Sequence, residues 1–188
     1  MIYLVSSFHR SGSSMMMECL IKGGMNAFWD NSQNIINTYC ENKKYIPNPN
    51  GFYALNFNFF NSSSFIKDFD NKLIKCPYDL LLKLPDHKYK LIFMIRNPEE
   101  IRKSMRSVSP YHTWGRNETI TWLYEKIFEA LINNIQERKD IDILVINYLD
   151  IINNPKMEFE KIKNNGWNID IKKSSSVVNK SLYRNKVR

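Results

Sequence analysis

Ile2-Tyr3-Leu4-Val5-Ser6, then Ser7-Phe8-His9-Arg10-Ser11-Gly12-Ser13-Ser14, then Met15-Met16-Met17-Glu18-Cys19-Leu20-Ile21-Lys22: this opening stretch changes character twice. Its first five residues are a short, β-prone apolar run, its middle is small and polar with one glycine, and its last eight are good helix formers. The order predicts strand, loop, helix. Gly23-Gly24 supplies the left-handed conformations that commonly end a helix, so this one is short. The same order returns at Lys90-Leu91-Ile92-Phe93-Met94-Ile95, a nearly continuous apolar run of the kind expected for a strand covered on both faces of a parallel sheet. Arg96-Asn97-Pro98-Glu99-Glu100 follows, with proline at the first helical position and acids in the first turn.

Outward from these two units the alternation continues. Lys72-Leu73-Ile74-Lys75-Cys76 is a further apolar run stopped by Pro77, and Tyr78 to Leu82 suits a short helix. Ile120, Leu123, Ile127, Leu131 and Ile135 recur at helical spacing between Asn117 and Arg138, with Asn117 or Thr119 able to cap the start. Ile141 to Tyr148 reads as another strand, and helical segments follow from Pro155 to Asn164. The stretch from the first helix to about residue 60, punctuated by Pro47, Pro49 and Gly51, is less regular and suits specificity loops. Strands alternating with helices predict an α/β fold in three layers, α/β/α, around a mainly parallel central sheet. A chain of 188 residues, 43% hydrophobic, fits one domain over 1–188.

Composition narrows the class of function. No apolar run approaches the roughly 20 residues that cross a bilayer, and the N-terminus has no basic lead-in to a secretory leader. The expectation is a cytoplasmic protein that starts at Met1. Cys19, Cys40 and Cys76 are too dispersed for a C-x-x-C pair and read as reduced thiols; His9, His87 and His112 are equally scattered, and no structural metal is expected. The net charge of +8 suggests an anionic partner, yet Lys172, Lys173, Lys180, Arg184, Lys186 and Arg188 supply six of those charges with no acid among them. The basicity is therefore mostly a tail, 172–188, read as a solvated and partly frayed end. No finger, RNP or helix-turn-helix signature accompanies it, so nucleic acid is not the expected partner.

The loop Arg10-Ser11-Gly12-Ser13-Ser14 has the parts of an anion site. Small residues let backbone N–H groups point inward, and the helix that follows adds positive potential. Phosphate is the natural guest: Arg10 can hold an oxyanion with two parallel hydrogen bonds, and Ser13 and Ser14 can donate hydroxyls. The plain alternative is a turn whose serines merely cap a helix. The loop also departs from the Walker A pattern, because Gly12 is followed by Ser13 rather than Lys and the first glycine is missing.

A second signature, Arg96-Asn97-Pro98 with Ser104 eight residues after the arginine, lies at the carboxyl end of the second strong strand. Together the two resemble the sulfotransferase family, whose donor is 3′-phosphoadenosine 5′-phosphosulfate (PAPS). In that family an aromatic-Pro-Lys-Ser-Gly-Thr-Thr loop, or a variant with Arg for Lys, holds the 5′-phosphosulfate. Phe8 to Ser14 match it, with His9 in place of the usual proline. By the same resemblance Arg96 and Ser104 hold the 3′-phosphate, and Lys75, in Lys75-Cys76-Pro77, approaches the transferred group. The likeness extends in outline over residues 2–165, including Val145-Ile146-Asn147-Tyr148-Leu149-Asp150, and implies a P-loop NTPase-like fold. It has gaps: Pro77 stands where one branch carries its catalytic histidine, and the Arg-Lys-Gly donor segment near the C-terminus is absent, leaving Tyr183-Arg184 or its basic neighbours as substitutes.

The chemistry of sulfuryl transfer fits such residues, because an in-line transfer between two oxygens needs charge stabilisation more than covalent help. Arg10 stays protonated and serves as a clamp, whereas Lys75 can neutralise charge and protonate the departing phosphate. His9 is the nearest candidate base; His112, Asp30 and Glu18 are the others. The plain alternatives are a surface His9, a solvent-facing pair of Arg96 with Glu99 or Glu100, a helix-surface Ser104 and a strand-edge Lys75. Phe57, Phe59, Phe60, Tyr111 and Trp114 suit an acceptor pocket or, more plainly, the core. The expected acceptor is a small molecule or glycan. Two other functions are compatible with the loop: an ATP-dependent P-loop phosphotransferase, and a nucleotide- or polyanion-binding protein without turnover.

Overall fold

A computed structural model describes residues 1–30, 51, 53–108 and 119–187 of the chain. Four strands, β1 (Ile2–Ser7), β2 (Leu73–Lys75), β3 (Tyr89–Ile95) and β4 (Ile141–Asn147), form one sheet in the order β2-β1-β3-β4, with every neighbouring pair parallel. The helices are α1 (Ser13–Lys22), α2 (Phe57–Phe60), α3 (Phe65–Phe69), α4 (Pro98–Val108), α5 (Thr119–Glu137), α6 (Tyr148–Asn153), α7 (Pro155–Asn164) and α8 (Ile171–Ser176); short 3-10 helices occupy Tyr78–Lys83 and Lys180–Leu182. They flank the sheet to make the expected three-layer α/β/α arrangement.

Strand periodicity explains the layers. Ile2 and Leu4 of β1 and Tyr89, Leu91 and Phe93 of β3 face one way and pack with Leu131 and Ile135 of α5 and with α2 and α3. Val5, Ile92 and Met94 face the other way, onto Met16, Met17 and Leu20 of α1, Ile151 and Ile152 of α6, and Phe159 and Ile162 of α7. Successive residues of a strand point to opposite faces, so a strand buried on both must be apolar throughout. Ile92 and Phe93, both fully buried, meet that demand from opposite sides.

Three local expectations are adjusted. The helix after Pro77 is a 3-10 helix, and the strand expected over 141–148 ends at Asn147, where Tyr148 opens α6 ahead of the expected helix from Pro155 to Asn164, α7. Proline lacks the N–H that would continue a ladder but fits a first turn, which is why α7 restarts there. The basic tail is not a frayed end over its described length. It contains α8 and the 3-10 helix Lys180–Leu182, and its remaining residues lie against α4: Lys103 Nζ donates to the Lys186 carbonyl at 3.0 Å and Ser107 Oγ to Asn185 Oδ1 at 3.2 Å. Charge alone suggested solvation; the backbone, Asn185 and one tyrosine make the contacts that hold it. Among the described residues no helix is long and apolar enough to cross a membrane.

Candidate anion site at the strand ends

The sheet order puts the site where open α/β sheets hold ligands. β1 has β2 on one side and β3 on the other; α1 and α5 cover opposite faces, so the connections diverge at the carboxyl ends of β1 and β3. Arg10 follows β1 and Arg96 follows β3. The two motifs, 86 residues apart, meet there: Arg96 Nη1 donates to the Arg10 carbonyl at 3.2 Å, and Arg10 Nε donates to Ser104 Oγ at 3.1 Å. Ser104 is 1% exposed, so it is not the helix-surface residue of the plain alternative.

The loop is tightly constrained. Ser11 N–H donates to the Phe8 carbonyl at 3.3 Å, Arg10 takes φ +66°, and Gly12 takes φ +98° as the N-cap of α1. A left-handed conformation at a non-glycine residue costs about 1 kcal/mol, so the arginine at position 10 is held against its preference. Position 12 admits only glycine for a second reason: a Cβ there would lie 2.4 Å from Cδ2 of Tyr148. Beneath the loop, Ser11 Oγ and the Tyr124 hydroxyl share a hydrogen bond at 3.2 Å, and Phe8 packs against Tyr78, Tyr124 and Phe93. Burial pushes the Tyr124 hydroxyl up to about 12, so it remains protonated throughout the neutral range. Ser13 opens α1, and the first N–H groups of a helix find no acceptor inside it, which suits this helix start to an anion.

No protein-family model matches this chain, and no curated protein does. The site therefore has to be understood from its own atoms.

Lys75 ends β2, an edge strand, and its Nζ donates to Ser14 Oγ at 2.9 Å, so the residue reaches across from the strand end to the first turn of α1. Burial, followed by the nearby positive charge of Arg10, brings its ammonium down to about 7 from an ordinary 10.5. In the folded protein this group takes up a proton only as the pH falls through about 7, whereas in the unfolded chain it does so near 10.5. Through Lys75, stability rises with pH between those two values and is lowest below the smaller one.

Arg96 forms the pair with Glu100 named above as the plain alternative, but not in solvent. The two side chains are 8% and 6% exposed, with Nε donating to Oε2 at 2.9 Å. The guanidinium lies over the Tyr148 ring at 4.5 Å and the Tyr183 ring at 5.7 Å, and the Tyr183 hydroxyl donates to the other oxygen of Glu100. Arg184 and Arg10 both lie near enough to Tyr148 to influence its hydroxyl. Sequence reasoning thus found Arg10, Ser11, Gly12, Ser13, Ser14, Lys75, Arg96 and Ser104, which come together, and missed Tyr124 and Tyr148. Tyr148 had a signal, its place at a strand's carboxyl end; Tyr124 shares a helix face with Ile127 and Leu131, which made it look like core.

Of the other candidates, His9 stays beside Arg10 at the exposed edge of the loop and meets the edge of Tyr78, and the rest disperse. Glu18 lies on α1 near Cys19 and Tyr53, and the Asp30 N–H donates to the Ala54 carbonyl beyond β2. His112, Tyr111 and Trp114 lie outside the described residues. Phe59 and Phe60 pack into the core, as the plain alternative for the aromatics has it, whereas Phe57 is exposed and belongs to neither reading.

Proposed function

We propose that the chain is a sulfotransferase that binds PAPS at the β1/β3 strand ends and transfers its sulfuryl group to a hydroxyl or amine of a small-molecule or glycan acceptor. The observation that carries this reading is the direct joining of the two motifs, Arg10 to Ser104 and Arg96 to the Arg10 carbonyl, at one switch point. Arg10, Lys75 and Arg96 bring three basic side chains together beside a helix N-terminus; Arg96 is paired with Glu100, and Lys75, brought down to about 7, gains its full charge when an anion is set opposite it. Such a set favours an anion such as a nucleotide phosphate.

In this reading the loop N–H groups with Arg10, Ser11, Gly12, Ser13 and Ser14 receive the 5′-phosphosulfate, and Arg96 and Ser104 face the 3′-phosphate. The acceptor oxygen bonds to sulfur as the bond from sulfur to the bridging phosphate oxygen breaks, and the acceptor proton passes to a base, to which His9 on the exposed rim is assigned. Lys75 then offers a proton to the phosphate that leaves. In calorimetry the unsubstituted chain is expected to bind 3′-phosphoadenosine 5′-phosphate at least tenfold more tightly than ATP or AMP. Equal or tighter binding of ATP would replace this reading by a phosphotransferase, and product binding without transfer to any acceptor by a non-catalytic nucleotide-binding protein.

Lys75 provides a second check. Near pH 8 it is largely neutral in the free protein, and a phosphate set opposite it raises its pKa, so binding is expected to draw up to about one proton from solution. The measured enthalpy would then depend on the ionisation heat of the buffer, and Lys75→Met would abolish that dependence. A buffer-independent enthalpy for the unsubstituted chain would remove Lys75 from the phosphate site.

A further inference from the structure

We infer that Tyr183 is a positioning residue for the donor loop, acting through Glu100 and Arg96 on the peptide plane that joins Arg10 to Ser11. The inference rests on the donor reading above for its consequence in binding, and on geometry alone for the positioning itself.

The contacts form a continuous series. The Tyr183 hydroxyl donates to Glu100 Oε1, Glu100 Oε2 accepts from Arg96 Nε at 2.9 Å, and Arg96 Nη1 donates to the Arg10 carbonyl at 3.2 Å. On the other side of that same peptide bond, Ser11 N–H donates to the Phe8 carbonyl at 3.3 Å. A peptide unit is planar, so gripping its C=O and its N–H fixes its orientation and with it the direction of the chain into Gly12 and α1. The grip matters here because Arg10 is in a left-handed conformation that it would otherwise leave.

Tyr183 is suited to this role in two ways. Its ring lies over the Arg96 guanidinium on the same side as Tyr148, the two ring centroids being 5.8 Å apart, which keeps Arg96 from swinging outward. Its hydroxyl occupies the carboxylate oxygen that Arg96 leaves, and the Val187 N–H approaches the same oxygen at 3.5 Å. With both oxygens of Glu100 assigned, Arg96 has one arrangement in which its Nη1 meets the loop. Burial and the contact with Glu100 push the Tyr183 hydroxyl up to about 12, so it remains a donor at neutral pH.

Tyr183→Phe removes the hydroxyl and keeps the ring. Hydrogen exchange followed by mass spectrometry is expected to show the amides of 9–15 exchanging about tenfold faster in this variant, with the β3 amides unchanged. Affinity for 3′-phosphoadenosine 5′-phosphate is expected to fall about tenfold, and the substitution should have almost no further effect once Arg96→Ala is present. Unchanged loop exchange would overturn the inference, as would equal acceleration in β3, which marks a merely structural role. Faster loop exchange with unaltered nucleotide affinity would overturn its consequence for binding. If the unsubstituted chain binds no nucleotide while loop exchange still responds to Tyr183→Phe, the positioning stands and the donor reading falls.

Discussion

Arg10→Ala is expected to weaken binding of 3′-phosphoadenosine 5′-phosphate about 100-fold, the equivalent of about 3 kcal/mol for losing a charge-assisted, two-pronged contact to a phosphate. Arg10→Lys should lose about tenfold, because an ammonium supplies charge without the planar fork. The informative companion is Arg10→Gly. Position 10 has φ +66°, where glycine is at ease and arginine is not, so this change relieves strain while it removes the guanidinium. Its thermal stability should equal that of the unsubstituted chain or exceed it by up to about 1 kcal/mol, while its nucleotide affinity matches that of Arg10→Ala. Calorimetry and thermal unfolding on the three variants separate the two effects. Binding within about twofold of normal in Arg10→Ala would make the arginine a loop-shaping residue and take away the anchor of the proposed function.

Gly12→Ala is expected to be strongly destabilising for a single added methyl group. The new Cβ would sit 2.4 Å from Cδ2 and 2.9 Å from Cε2 of Tyr148, at a φ of +98° that an alanine resists even in open space. Tyr148 has little room to yield: it is 6% exposed, lies under the Arg96 guanidinium and meets Tyr183 edge to face. Backbone strain and overpacking each contribute about 1–3 kcal/mol, and a combined loss of about 4 kcal/mol would lower the melting temperature of a domain this size by about 10 °C. Following the unfolding by circular dichroism tests this directly. A double variant with Tyr148→Leu should be less destabilised than the two single changes together, because only the clash is shared and the strain is not. A Gly12→Ala protein that melts within a degree or two of the unsubstituted chain would contradict the close approach of Tyr148 to the loop.

The layered fold was readable because its signals are local and redundant. Lys90 to Ile95 had to be a doubly covered strand, and Pro98 with Glu99 and Glu100 had to open a helix; both conclusions follow from a few adjacent residues. The site was readable only in part. Arg10, Ser13 and Ser14 belong to a strand-loop-helix unit that declares itself, but the choice of partner for Arg96 depends on Tyr148 and Tyr183, which reach it only through the sheet order and the path of the tail. Charge misled for the same reason: six basic residues suggested solvation, whereas the tail is held by its backbone, Asn185 and Tyr183. The pairing of Arg96 with Glu100 was among the sequence alternatives, but its burial was not, because the residues that cover it come from β4's end and the tail.

β1 also governs how quickly the site can come into being. It lies between β2 and β3, and its residues pair with partners such as Leu73 for Tyr3 and Tyr89 for Ile2, far along the chain. Although α1 packs on β1 locally, both ladders of this strand join it to distant segments, so large loops must close before they form, which slows refolding for a chain of this length. Arg10 and Arg96 meet only when the β1–β3 ladder closes, and an anion that bridges them therefore engages an arrangement that exists only at the end of that search. Its signature in kinetics would be a lengthened lifetime of the native state with little acceleration of folding.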